Sequence, residues 1–160
     1  MYAEITDRFH FQYMQATGTI SMWSNGNVVQ PYKVPGDYGS RQFFKLGGYY
    51  IKAEYVYEER TGQCKDEVYT LSKLDLCDKQ FFTRVLACDV EAEEGIHWTM
   101  FHWVKLNKCR TNGYLYEACY NKVDRLCDKY GISDVLRWVN INWFIVKGKP
   151  LIVDCGISNY

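Results

Sequence analysis

No stretch of this sequence approaches the ~18 consecutive apolar residues of a membrane-spanning helix, so a helical membrane anchor is not expected. Net charge is missing too. The 19 Lys and Arg are balanced by 19 Asp and Glu, whereas a general nucleic-acid binder is markedly basic, so no nucleic-acid partner is expected. The opening Met1-Tyr2-Ala3-Glu4-Ile5-Thr6-Asp7-Arg8 has no apolar signal-peptide core, and a cytoplasmic location is expected. The seven cysteines are odd in number, and no two stand at the two-residue gap of a zinc knuckle. They read as reduced, mostly buried small hydrophobes, with Cys155 beside Asp154 the one to watch for reactivity.

Apolar residues are plentiful at 48%, and aromatics are dense at 17%, with 14 Tyr and 5 Trp. A chain of 160 residues with this content builds one domain, or two small lobes sharing a core. Residues 1–35 read as strands. Thr19–Trp23 and Val28-Val29 flank Ser24-Asn25-Gly26, and Asn-Gly is a strong hairpin signal. His10 reads as a packed or surface histidine. A glycine-containing turn through Gly36, Gly39 and Ser40 leads into a strand ending at Leu46. The Gly47-Gly48 turn then opens a strand from Tyr49 to Tyr55 that carries Lys52 in an apolar setting. Such glycines let a backbone approach phosphate closely, and a lysine on the neighbouring strand can contact it.

Apolar residues at 64, 68, 71 and 74 follow a helical period and predict a helix over about 63–75, with Glu67 at the edge of its buried face. Phe81–Cys88 reads as a strand, 89–95 as an acidic turn, and 96–104 as the returning strand. His97-Trp98-Thr99 superficially matches the His-x-Thr pair of two-histidine phosphoesterases. That chemistry needs two copies, and His102 is followed by Trp103-Val104, so both histidines read as sheet surface. Residues 105–112 are a polar connector. Leu115, Cys119, Val123, Leu126 and Tyr130 predict a helix over about 113–130, stopped by Gly131. A polar loop with Asp134, Asn140 and Asn142 precedes a terminal hairpin, whose last strand delivers Asp154 just ahead of Gly156. A carboxylate at a strand end, followed by a turn-permitting glycine, is a common way to present oxygen to a hard cation. Asn142, across the hairpin, can reach the same ion. The fold class expected is α+β.

The serial order is a glycine turn, a strand lysine, a helix glutamate, a two-strand hairpin, a long helix, a polar loop with Asn, and Asp-x-Gly. It resembles the protein-kinase fold, read from its small lobe into the first part of its large lobe. More narrowly, Gly39-Ser40-Arg41, Leu46-Gly47, Ile51-Lys52, Glu67, Asn142-Trp143 and Val153-Asp154-Cys155-Gly156 resemble the pattern of small kinase-like proteins of bacteriophages and bacterial effectors, over residues 30–160. The resemblance implies a β-rich small lobe over 1–106, an antiparallel sheet crossed by one helix. It implies a truncated, mostly helical second lobe over 107–160. It further implies that Gly36, Gly39, Ser40 and Lys52 bind nucleotide, that Glu67 holds Lys52, and that Asn142 and Asp154 hold magnesium. ATP and Mg2+ are then the cofactors, and a host protein in the host cytosol is the partner.

Two departures qualify the resemblance. The family's catalytic Asp lies five residues before the Asn, where this chain has Arg137; the nearest acid is Asp134, eight residues before Asn142. After Asp154 the sequence given leaves no room for an activation segment. Three readings stay open: a minimal protein kinase acting on host proteins, a pseudokinase or inhibitor that grips a partner, and an unrelated α+β module.

Overall fold

A computed structural model describes residues 2–32, 41–57, 62–133 and 135–155. The fold is α+β with antiparallel sheets. It divides into two compact units, one of residues 1–65 and 85–103, the other of residues 66–84 and 104–160. The units interleave along the chain, whereas the sequence suggested a single cut after residue 106.

The first unit begins with a single turn of helix, α1 (Ala3–Thr6), which the sequence did not announce. Strands β1 (Phe9–Met14), β2 (Thr19–Ser24) and β3 (Asn27–Val29) then form an antiparallel sheet in the order β1-β2-β3. The β2–β3 turn is the expected Asn25-Gly26, with φ at 52° and 78°. Two left-handed residues in succession make the turn whose twist matches that of the flanking strands. A second sheet consists of β4 (Gln42–Leu46), β5 (Tyr49–Val56), β6 (Val85–Asp89) and β7 (Gly95–His102), ordered β4-β5-β7-β6. Between β5 and β6 the chain enters helix α2 (Gln63–Ser72).

Alternation along these strands sets two faces. Phe44, Ile51, Ala53 and Met100 form one core with Ile20, Met22 and Val29. Phe9 and Phe11 bring their rings to within 5.3 and 6.2 Å of Trp98. Each large side chain buried here stabilises the unit by about 1.5–3 kcal/mol. The opposite face is closed as well. Lys52, Glu54, His97, Thr99 and Phe101 are all buried there. Cys64, at the start of α2, points its thiol at the Lys52 carbonyl, 3.7 Å away. His97 is therefore an interior residue, which corrects its reading as sheet surface, and Thr99 is interior with it; His102 is exposed as expected.

The second unit contains the rest of α2, a short 3-10 turn at Lys79–Phe81, helix α3 (Tyr114–Tyr130), and the hairpin of β8 (Trp143–Val146) and β9 (Lys149–Ile152). The expected strand beginning at Phe81 is corrected: Phe81 closes the 3-10 turn, Phe82 makes an isolated bridge to Ile152, and β6 starts at Val85 with a bulge before Ala87. In α3 the residues at 119, 123, 126 and 127 are buried at helical spacing, while Leu115 is exposed. The helix stops where Gly131 turns left-handed at φ 65°. Its inner face packs with Leu74, Phe82, Ile132, Val135, Trp143, Ile152 and Cys155. Its end is pinned by Asp78, which accepts from Lys129 Nζ at 2.7 Å and from the Tyr130 hydroxyl at 2.5 Å.

Candidate functional site

Backbone pairing in the second unit gathers three of the expected site residues. Lys147 and Gly148 make a left-handed turn (φ 51° and 75°), so the chain after β9 runs back past the loop that precedes β8. There the Asn142 carbonyl accepts the N–H of Val153 at 2.9 Å and that of Asp154 at 3.2 Å. Asn142 and Asp154, twelve positions apart in sequence, are thus held side by side. The next amide, that of Cys155, donates to Glu67 Oε2 at 3.4 Å. Glu67 is 1% exposed and anchored on α2, so its carboxylate meets the segment that carries Asp154. Cys155 is a buried thiol rather than an accessible one.

The loop before β8 is built by its own hydrogen bonds. Trp138 O accepts the N–H of Ile141 and Asn142, and Asn140 adopts φ 64°. Asn140 spends its side chain on Cys109, accepting from its N–H at 2.9 Å and donating to its carbonyl at 3.2 Å. That bidentate role leaves Asn142 as the asparagine at the candidate site. Trp143 anchors the loop from below: it is fully buried and donates its indole N–H to Leu136 O at 3.0 Å.

Lys52 belongs to the first unit and Glu67, Asn142 and Asp154 to the second. Lys52 occupies the middle of β5, opposite Phe43 on β4 and Thr99 on β7. It is 3% exposed, and its ammonium lies 4.8 Å from the centre of the Phe101 ring, a cation–π distance. Gly36, Gly39, Ser40 and Asp134 lie outside the described residues. Arg137, five residues before Asn142, is exposed.

Among the described residues no three His, Cys, Asp or Glu side chains group as in a protein-only metal cage.

The hydrogen bond from Lys129, then that from Tyr130, holds the Asp78 carboxyl below its ordinary range. The two aspartates beside it, Asp75 and Asp78, raise Lys129. Burial, followed by the charges of Asp124 and Asp128, pushes the Cys127 thiol up to about 11. Sequence reasoning passed over Glu54 and set His97 aside as sheet surface; the two are buried polar side chains facing each other across β5 and β7. The position of Glu54, two residues after Lys52 on the same face of β5, was the available signal.

No family model matches the chain, and a comparison with curated proteins finds no match.

Proposed function

We propose that the chain is a kinase-like protein that binds ATP with Mg2+, with Lys52 contacting phosphate and Asn142 and Asp154 holding the metal. The observation that carries this reading is the Asp154 N–H to Asn142 O bond at 3.2 Å, with Glu67 bonded to the adjoining residue. An acid and an amide twelve residues apart share one backbone corner, which supports their serving one metal ion. Phosphoryl transfer depends mainly on positioning and charge neutralisation, so Arg137 at the expected base position allows slow transfer to a host protein hydroxyl.

The runner-up is a pseudokinase or inhibitor that binds a host protein without transfer. Arg137 favours it, and so do the exposed Tyr69, Tyr114 and Trp138, residue types that dominate protein-binding hot spots.

Calorimetric titration of ATP with and without magnesium separates the readings. Binding is expected only with Mg2+, and Asp154→Asn should weaken it roughly tenfold or more, since loss of even outer-sphere support costs metal sites 10–100-fold. Magnesium-independent binding, or none at millimolar ATP, removes the nucleotide reading and leaves the partner-binding one. With binding intact, Asp134→Asn should lower any transfer rate and leave affinity unchanged.

A further inference from the structure

Glu54 and His97 are buried, polar and unused by the nucleotide reading. They are direct cross-strand partners, each 3% exposed. His97 donates its Nε2 hydrogen to the Ala92 carbonyl at 2.6 Å, which fixes the ring. Its Nδ1 is buried and has no hydrogen-bond partner among the described residues. The chain that leads into α2 crosses directly over this pair. A Cβ built on Gly62 would lie 2.4 Å from Glu54 Oε1, 2.7 Å from Val56 Cγ1 and 3.1 Å from His97 Nδ1. Only a residue without a side chain passes there.

Two positions later, the Cys64 amide donates to Glu54 Oε2 at 3.3 Å. The first amides of a helix have no partner inside it, and a carboxylate at that end also meets the positive pole of the helix dipole. Gly62, just before Gln63, has no side chain with which to cap. The cap comes instead from β5. The Cys64 thiol continues the attachment, donating to Lys52 O and receiving the Thr99 hydroxyl at 4.0 Å.

We propose that Glu54 and His97 are positioning residues: Glu54 caps α2 from a neighbouring strand, and His97 with Gly62 confines that carboxylate to the capping geometry. The cap fixes the first turn of α2 on β5. Cys64 and Glu67 lie three apart, on one helix face, and both are buried. Fixing Cys64 therefore fixes the phase at which Glu67 leaves the helix. The effect on nucleotide affinity rests on the proposed function; the cap itself does not.

The test uses the 160-residue chain as wild type, Glu54→Gln, Glu54→Asp, His97→Gln and Gly62→Ala. Amide hydrogen exchange is compared at Cys64 and the following α2 amides, with β5–β7 amides as the internal reference, and ATP–Mg2+ affinity is measured alongside. Glu54→Gln should accelerate exchange in the first turn of α2 about fivefold to tenfold, in line with loss of an N-cap. Gly62→Ala should do the same with the carboxylate still present. His97→Gln should give a smaller acceleration, and Glu54→Asp should recover part of the loss. Equal exchange in α2 for wild type, Glu54→Gln and Gly62→Ala overturns the cap. Accelerated exchange with unchanged ATP affinity overturns the positioning role. If wild type binds no nucleotide, the proposed function fails, and the exchange data still decide the cap. Should Glu54→Gln not fold, Gly62→Ala carries the comparison.

Discussion

Among the described residues, each unit buries a glutamate that accepts a backbone N–H, and the two do different work. Glu54, in the first unit, takes the Cys64 N–H in a space closed by Val56, His97 and a glycine. Glu67, in the second, takes the Cys155 N–H at the exit of β9, where Asn142 and Asp154 meet. A buried carboxylate is costly unless hydrogen-bonded, so neither position is accidental packing. The difference lies in what is held: Glu54 fixes the start of a helix inside a sheet-built core, while Glu67 fixes a strand exit that presents polar groups. One carboxylate is structural in the ordinary sense. The other is structural at the place where chemistry is proposed.

The largest effects should come from the two cores. Trp143→Ala in the second unit and Phe44→Ala in the first should each cost about 3–5 kcal/mol in urea unfolding. Trp143→Ala is expected to be the worse, because it also orphans Leu136 O. A Trp143 variant as stable as wild type would mean that the hairpin is not anchored as described.

Next in size is Glu67→Ala, which leaves the buried Cys155 amide without its carboxylate. A loss of about 1–3 kcal/mol is expected, together with faster amide exchange at Asp154 and Cys155. If exchange accelerates only in α2, Glu67 supports the helix rather than the strand exit, and the contrast with Glu54 collapses.

The pH dependence tests the second unit alone. Asp78 has a depressed folded-state pKa, so its contribution is present above the usual carboxylate pKa of about 3.9 and is lost as pH falls through the depressed value. Lys129 is raised, so its contribution holds below about 10.4 and fades only as pH climbs past that. The stability gap between wild type and Asp78→Asn should therefore be widest from about pH 5 to 9 and close in acid. A gap that stays constant down to pH 2 would show that Asp78 acts through packing. Added salt should weaken the exposed Lys129–Asp75 pair more than the Lys129–Asp78 pair, where the aspartate is the buried partner.

The smallest effect concerns the first unit's hairpin. Gly26→Ala forces a side chain into φ 78° with open space around it, so only backbone strain acts and about 1 kcal/mol is lost.

Elements with local signals were legible in the sequence. Asn25-Gly26 fixed its hairpin by backbone chirality, and α3 declared itself through a repeat that ends at a glycine. Phe81-Phe82 misled because aromatic residues favour strands, while tertiary contacts turned Phe81 into a 3-10 turn and left Phe82 a lone bridge. His97 misled for a related reason: a polar residue in an alternating strand reads as solvent-facing, and nothing local reveals that the second face of the sheet is covered. The pairing of Asn142 with Asp154 was legible because a hairpin lies between them. The hydrogen bond from the Cys155 N–H to Glu67 was not, since it joins residues 88 positions apart.

The distribution of thiols gives the molecule built-in clocks. Cys64 is sealed in the first unit, and Cys119, Cys127 and Cys155 are sealed in the second, while Cys77 and Cys88 stand exposed. An alkylating reagent meets the exposed pair at once and the sealed four only when their surroundings open. Because the Cys127 thiol is also held near 11, it stays uncharged and unreactive in the folded state. The rate at which each buried sulfur is labelled then times the opening of its own unit, without any probe being added to the chain.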